Sequence, residues 1–317
     1  MAQIGFFSVS RNAHAAVTDL YDFMFPATAA VWNLRCQVKG YLVESPNATE
    51  EQLKARFAHP TGVGSNYRNF REGFASASWA DHEYRIASFL LMALIGEYEA
   101  WARAVLVAAT GSETFADDNE KGLQFPTSGS KGVRPTVQKA VKKTSTVMIN
   151  AFRLPLTKQR RYADAHLDDL LVCFRYFKEI RNALAHGGGL VSQRLLDAAT
   201  EYSTRTTQLG MTHAPTCQVQ AVGERAGLTL RQVSGVSEVI LRLITTIDAH
   251  LSASPHAEAA IVGGWAKRHG TSKQLLPADE TKRRSKVANA VARIGFPKPV
   301  PTDDIPDLLK AHDLAFF

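Results

Sequence analysis

The apolar positions along the chain recur mostly at steps of three and four residues, which predicts a mainly helical protein. The longest such region covers residues 80–109, where no proline interrupts the pattern. A second region covers residues 170–186 and is followed by three glycines, and a third covers residues 236–251. We expect these three helices to form the helical core.

Shorter helices are expected before this core. Residues 11–40 carry helical spacing that Pro26 interrupts, so two consecutive helices are predicted there. Thr49 and Gln52 form the pattern of a capping box, which predicts a short helix to about Ala58. A loop is expected at Gly62, Gly64 and Asn66.

Three further segments complete the predicted fold. Residues 111–135 are polar and rich in glycine and serine, and they are interpreted as an inserted surface loop. Helical spacing then predicts helices over residues 136–152 and 190–206. From Cys217 to Val233 the apolar period changes to two on either side of a glycine-containing turn, which predicts a small β-hairpin inserted into the helical protein.

A chain of 317 residues is long enough for two or three domains. Ser254 and Pro255 mark a boundary after the last core helix. We therefore expect a helical N-terminal extension over residues 1–78, a helical core over residues 79–254 and a small basic segment over residues 255–317. That last segment, with two short apolar patterns, could contact nucleic acid or pack on the core; it contains the run Lys282-Arg283-Arg284-Ser285-Lys286.

Composition and charge leave the partner open. The formal net charge of +7 suits an anionic partner such as RNA and equally suits a solvated basic surface. Cys36, Cys173 and Cys217 are far apart and give neither a disulfide framework nor a zinc spacing, which favours a reducing compartment. The first residues lack the features of a signal peptide, and the longest apolar run, residues 89–95, is too short to span a bilayer. We expect a cytoplasmic protein with no membrane contact.

The end of the helix over residues 170–186 carries the candidate chemistry. Arg181, Asn182 and His186 lie in its last two turns, and Asn182 and His186 share one face because they are four residues apart. Gly187 is expected to close the helix in the left-handed conformation. These polar groups suit phosphate chemistry, because a guanidinium can bind a phosphate while an imidazole moves protons.

The pattern Arg181-Asn182-x-x-x-His186, at the end of an apolar helix and before glycines, resembles the R-x(4–6)-H signature of the HEPN superfamily. The resemblance implies a HEPN-like up-and-down helical bundle and a metal-independent endoribonuclease that acts as a toxin or in phage defence by abortive infection. In such an enzyme His186 is the general acid or base, Arg181 stabilises charge on the phosphorane, and Asn182 orients the phosphate or the imidazole. The resemblance also implies a homodimer whose two motifs share one cleft and act on RNA.

Two alternatives remain open at this level. The same fold can serve as a non-catalytic module that binds a nucleotide or a regulatory partner protein. A helical protein can also act as a nucleic-acid-binding regulator through the basic residues 255–317. No zinc, dinucleotide, phosphate-loop or serine-hydrolase motif occurs in the sequence, so we expect no metal and no cofactor.

Several residues are expected to support the motif. Glu97 falls on the apolar stripe of residues 80–109, and in the family an acid on an early helix can face the motif arginine, so Glu97 is the predicted partner of Arg181. A second match, from Arg161 to His166, lacks the flanking features and is interpreted as coincidence. The predicted RNA-binding surface consists of Lys158, Arg160, Arg161, Arg175 and Lys178.

Overall fold

Helices dominate the structure. The computed structural model describes residues 5–58, 69–270 and 272–317, and the prediction of a mainly helical protein is confirmed. The loop predicted at Gly62, Gly64 and Asn66 lies outside the described residues. The α-helices are α1 (Ser8–Glu44), α2 (Glu50–Phe57), α3 (Trp79–Thr110), α4 (Glu113–Asn119), α5 (Val133–Val141), α6 (Thr146–Met148), α7 (Leu154–Leu156), α8 (Leu167–His186), α9 (Gln193–Ser203), α10 (Leu230–Leu251), α11 (Pro255–His269), α12 (Glu280–Arg293) and α13 (Asp304–Ala311).

Tighter and wider helical turns link some of these helices. The turns Arg71–Ser76 and Ile149–Arg153 are π-helical, whereas Glu120–Gln124 and Asp164–His166 are 3₁₀-helical. In the described part of the chain, the strands are β1 (Gln274–Leu275) and β2 (Ala315–Phe316), which pair in parallel near the C-terminus.

The three long helices predicted from the sequence form the core. α3, α8 and α10 pack against one another, and their inward residues, among them Leu94, Phe174 and Ile244, are fully buried. The rings of Tyr98 and Phe174 lie 4.5 Å apart across the contact between α3 and α8. None of the helices in residues 5–58, 69–270 and 272–317 is long and apolar enough to pass through a membrane.

Capping residues set the ends of the helices. At the start of α3, the Ser78 hydroxyl accepts a hydrogen bond of 3.1 Å from the backbone N–H of Asp81. Gly111 ends the same helix in the left-handed conformation, with a φ of 70°. The capping box predicted at Thr49 and Gln52 is confirmed at the start of α2.

The N-terminal extension departs from the prediction at Pro26. α1 continues through this proline, so a single helix of 37 residues replaces the two expected. Proline removes one backbone donor, and burial at both ends of the helix offsets that loss. The first half of α1 buries Ala13 and Val17 in the main core, whereas Val38 joins a small second cluster with Leu53.

The prediction of an inserted surface loop over residues 111–135 is wrong. This segment contains α4 and a 3₁₀ turn, and its residues Leu123 and Val133 are fully buried. The hydroxyl of Tyr98 donates a hydrogen bond of 2.7 Å to the Leu123 carbonyl, which ties the segment to α3. The glycine- and serine-rich residues 128–131 are exposed, but they form a tight turn between buried residues and not a long surface loop.

The single helix predicted over residues 136–152 is interrupted. α5 ends at Val141, and Lys142 takes a φ of 42° and a ψ of −65°, which is unusual for a residue with a side chain. The chain becomes helical again at Thr146.

The prediction of a β-hairpin between Cys217 and Val233 is also wrong. Residues 211–229 are extended or turn-like, and Val233 already belongs to α10. The Tyr176 hydroxyl donates to the Gln218 carbonyl at 3.1 Å, and the Tyr202 hydroxyl donates to the Pro215 carbonyl at 2.6 Å. The alternating pattern thus reflects an extended segment lying on α8 and α9, where tyrosines replace a partner strand.

The C-terminal segment packs on the core. Ile261 and Trp265 of α11, a helix that the sequence pattern did not indicate, are buried in the same apolar cluster as α3 and α10. Two members of the basic run, Arg283 and Arg284, pair with Asp303 within the segment. The division of the chain into three segments stays a prediction.

A buried carboxylate ties the start of the chain to the core. Asp248 of α10 is fully buried and accepts hydrogen bonds from the backbone N–H groups of Phe6 and Phe7, the latter at 3.1 Å. Burial raises the pKa of Asp248 to about 6, because the lost hydration disfavours the charge more than these donors and Ser10 restore it.

We expect Asp248 to make the protein less stable as the pH rises from about 4 to about 6. The folded pKa lies above the ordinary value of 3.8, so in this range the native state keeps a proton that the unfolded state has released. The free energy of unfolding should fall by about 2–3 kcal/mol relative to that of Asp248→Asn, which keeps a carbonyl acceptor. Chemical denaturation of both proteins across this range measures the difference, and parallel pH profiles would contradict the assignment.

Candidate functional site

The motif residues lie where α8 ends. His186 is the last residue of the helix, but Gly187 has a φ of −112° and is not left-handed as the sequence suggests. Gly188 and Gly189 take that conformation instead, with φ values of 61° and 81°. The backbone N–H of Gly189 donates to the Ala183 carbonyl at 2.9 Å and so caps the helix.

The turn after α8 lies between α3 and the extended segment. A Cβ at Gly189 would lie 3.2 Å from the hydroxyl oxygen of Tyr84 on α3, so the close approach favours glycine. On the other side, the Ala226 N–H donates to the Gly189 carbonyl and the Val191 N–H to the Glu224 carbonyl, both at 2.8 Å. The extended segment therefore holds the turn by backbone hydrogen bonds, while Tyr84 of α3 lies close to Gly189 without a hydrogen bond.

The acidic partner of Arg181 is Glu99, so the prediction of Glu97 is wrong. Arg181 Nη2 donates to Glu99 Oε2, and Lys178 Nζ lies 2.7 Å from Glu99 Oε1. The Arg181 and Lys178 side chains are 21% exposed and that of Glu99 is 27% exposed. One carboxylate thus binds two cations from successive turns of α8, whereas Glu97 lies about 200° around α3 from Glu99.

Asn182 links the motif arginine to a second ion pair. Arg181 Nη1 donates to Asn182 Oδ1 at 3.3 Å, and Asn182 Nδ2 donates to Glu179 Oε2 at 3.3 Å. Glu179 Oε1 lies 3.8 Å from Arg175, whose guanidinium sits 4.4 Å from the centre of the Phe125 ring. Both basic residues that the sequence places on this part of α8 therefore lie beside the motif.

His186 stands apart from this network. Its side chain is exposed and makes no hydrogen bond within the described residues. It lies five residues beyond Arg181, which is about 7.5 Å along the helix axis. A substrate that contacts both groups must bridge more than one turn of α8.

One donor of Arg181 is unused. Its Nε is buried and has no hydrogen-bond acceptor in the described part of the chain, although both terminal nitrogens are bound. A buried donor without an acceptor is unfavourable. An anionic ligand that reaches Nε would therefore gain a hydrogen bond that the protein itself does not make.

The remaining predicted RNA-binding residues lie at the opposite end of α8. Arg161 pairs with Glu238 of α10 at 3.1 Å, and Arg160 lines an open groove beside α10. Lys158 precedes them in the same connection before α8. Arg181 lies about 20 Å further along the helix, so the structure does not bring these three residues together with the motif. That they bind RNA stays a prediction.

Two acidic neighbours of the motif were not predicted from the sequence. α3 is apolar on more than one side, and the buried stripe through Leu91, Tyr98 and Ala102 has the same helical spacing as the predicted stripe through Glu97. Spacing alone does not choose between these faces, so it did not indicate Glu99. Glu179 did carry a signal, because it lies four residues after Arg175 on the same helix.

Metal ligands do not assemble within residues 5–58, 69–270 and 272–317. No three histidine, cysteine, aspartate or glutamate side chains come together there as a possible metal site. The three cysteines are free thiols, and burial raises the pKa of Cys173 to about 12, which makes it a neutral core side chain.

Comparisons with known proteins give no match. No protein-family model, no curated protein and no solved structure matches this chain. The HEPN resemblance therefore depends on the motif from Arg181 to His186 and on its setting at the end of a buried helix.

We expect Glu99→Gln to lower the free energy of unfolding by about 1–2 kcal/mol, because it leaves two largely buried cations without their carboxylate. Glu97→Gln is the matched control on the same helix and should change stability by less than about 0.5 kcal/mol. Urea denaturation at neutral pH compares the two variants. Equal losses in both, or no loss in Glu99→Gln, would contradict the pairing.

Proposed function

We propose that this protein is a HEPN-like endoribonuclease that cuts RNA without a metal ion, in a toxin or phage-defence role. The proposal is carried by one arrangement at the end of α8: Glu99 and Asn182 hold Arg181, and His186 is exposed beyond them. An anchored guanidinium and a free imidazole on the same helix end suit phosphodiester cleavage of a substrate that spans both. In this proposal α3, α8 and α10 belong to a HEPN-like bundle.

The proposed reaction is an internal transesterification. The 2′-oxygen of a ribose attacks the adjacent phosphorus and forms a P–O2′ bond, while the bond from phosphorus to the 5′-oxygen breaks. One group removes the proton of the 2′-hydroxyl, and another gives a proton to the leaving 5′-oxygen. His186 performs one of these transfers, and the products are a 2′,3′-cyclic phosphate and a free 5′-hydroxyl.

Arg181 stabilises the charge that develops on the phosphorane. Because Glu99 fixes the guanidinium before substrate binds, little reorganisation is needed during the reaction. Arg181 and Lys178 share one carboxylate, so the site keeps a positive excess that attracts the phosphate backbone. The unused Nε–H of Arg181 supplies a further donor.

A non-catalytic HEPN-like module is the second candidate, and one observation favours it. Both terminal nitrogens of Arg181 are already bound, so the guanidinium takes a phosphate only through Nε or after a partner is exchanged. Such a module would bind a nucleotide or a partner protein at this end of α8 and leave RNA intact. A regulator acting through residues 255–317 has less support, because much of the basic run there is used in internal ion pairs.

We expect His186→Ala and Arg181→Ala each to slow RNA cleavage by about 100-fold or more, the usual cost of losing a proton-transfer or charge-stabilising group. His166→Ala is the matched control. That residue ends the second Arg-x4-His match, and its Nδ1 lies 2.7 Å from the Gln208 carbonyl, so cleavage should not change. End-labelled RNA on a denaturing gel gives the rates, and circular dichroism checks that each variant is folded.

The same assay with EDTA separates this mechanism from metal-dependent cleavage. The wild-type rate should be unaffected by EDTA. Full activity in His186→Ala would rule out the proposed mechanism, and RNA binding without cleavage by the wild type would favour the non-catalytic module.

The proposed nuclease acts as a homodimer, because a single His186 performs only one of the two proton transfers at a time. Phe89 on α3 is 67% exposed. It lies along α3 between Tyr84, which approaches the turn after α8, and Glu99, which binds Arg181. An apolar contact at Phe89 would bring a second copy of the chain beside the motif.

Light scattering should report a dimer for the wild type, and Phe89→Ser should shift it to a monomer and reduce cleavage. Phe316→Ser is the control, because Phe316 is 46% exposed on β2 in the C-terminal segment. That variant should remain dimeric. A wild type that is monomeric and fully active would contradict the shared cleft.

A further inference from the structure

A second polar cleft lies at the beginning of α8, away from the motif. Its volume is about 460 Å³, which is within the range of small-molecule sites. The cleft is lined by α5, the turn Ile149–Arg153, the first residue of α8 and His250 of α10. Arg181 is about 20 Å further along α8, so this cleft is separate from the proposed nuclease site.

A chain of hydrogen bonds fixes one wall of the cleft. Arg153 Nη2 lies 3.0 Å from His250 Nδ1, and His250 Nε2 lies 2.9 Å from Asp164 Oδ1. Arg134 binds the same carboxylate at 3.2 Å and Asp168 at 3.1 Å. Because arginine only donates, His250 Nδ1 is the acceptor and Nε2 carries the hydrogen, which makes this imidazole neutral.

Positive charge is left over in the cleft. Arg134 pairs with the carboxylates of Asp164 and Asp168, whereas Arg153 meets only the neutral ring of His250. Lys142 also lines the cleft and is exposed. In the described part of the chain, neither Arg153 nor Lys142 has a carboxylate partner. Arg134, Arg153 and Lys142 carry three positive charges and Asp164 and Asp168 carry two negative ones, so the cluster keeps a net charge of +1. This excess, with two cations that have no carboxylate of their own, favours a bound anion.

The backbone at Lys142 also points to a binding role. Its φ of 42° and ψ of −65° lie in a region that residues other than glycine rarely adopt. Strained positions of this kind persist where the surrounding structure holds them, and they cluster at ligand sites. Here the Lys142 N–H bonds to the Gln138 carbonyl at 2.9 Å, and the strained turn leaves the lysine on the cleft wall.

The remaining wall of the cleft is apolar, formed by Val137, Val141 and Leu167. A pair of cations that have no carboxylate partner, beside an apolar wall, matches a phosphate ester that carries a ring. We propose that this cleft binds a phosphorylated small molecule of nucleotide size. Its phosphate lies on Arg153 and Lys142, and its ring lies against the apolar wall.

Titration calorimetry with AMP, adenosine and inorganic phosphate tests this site on the full chain. Wild-type protein should bind AMP saturably and more tightly than it binds either fragment. Lys142→Gln and Arg153→Gln should each weaken AMP binding about tenfold or more, the equivalent of one charge-assisted hydrogen bond. Lys267→Gln, on α11 and outside the cleft, is the control and should bind AMP as the wild type does.

Lys142→Gly separates binding from folding. Glycine accepts a positive φ with little strain, so this variant should unfold at the same temperature as the wild type or higher while losing AMP affinity. Arg181→Ala should keep full AMP affinity whether or not the protein cuts RNA, because the motif is not part of the cleft.

Four results would overturn the proposal. They are no AMP binding to the wild type, undiminished binding in both Lys142→Gln and Arg153→Gln, adenosine binding as tight as that of AMP, and loss of AMP binding in Arg181→Ala.

Discussion

The Glu99 carboxylate is the group on which the candidate site depends. It receives Lys178 and Arg181 from successive turns of α8, in a seam where all three side chains are largely buried. Cations in such a seam are unfavourable unless a carboxylate meets them with good geometry. The interaction therefore joins α3 to α8 and also sets the direction in which the Arg181 guanidinium points.

α8 carries two polar side chains that differ in how firmly they are held. Arg181 is held by neighbours on both sides, whereas His186 is exposed and follows it by about a turn and a half. The glycine turn behind His186 is held by backbone hydrogen bonds to the extended segment, so the exposed imidazole projects from a supported helix end. This combination of a fixed charge and a free proton carrier on one helix is the basis on which we propose transfer chemistry at a phosphate.

Local features were predictable from the sequence, and contacts between distant segments were not. Ser78 caps the start of α3 through its hydroxyl, and Gly111 ends the helix in the left-handed conformation. Both effects are local, so the predicted ends of α3 are close to the observed ones. The motif residues were found because they share a single helix, where spacing alone places them. Predicting Glu99 as the partner of Arg181 requires knowing which side of α3 faces α8. The sequence does not show this, because α3 is apolar on more than one side.

The other errors have the same origin in tertiary packing. Pro26 does not end α1, because burial at both ends of this helix outweighs one lost hydrogen bond. The alternating residues before α10 form no hairpin, because tyrosine hydroxyls of α8 and α9 bind their carbonyl groups. Lys158, Arg160 and Arg161 are near the motif helix in sequence, yet they precede it and so lie at its far end.

The chemical identity of RNA ends tests the central claim most directly. An RNA cut by the wild-type protein should carry 2′,3′-cyclic phosphate and 5′-hydroxyl ends, and a single 2′-deoxy substitution at the cut site should block cleavage there. Ends that carry a 3′-hydroxyl and a 5′-phosphate, or continued cleavage at the 2′-deoxy position, would contradict transesterification at the end of α8.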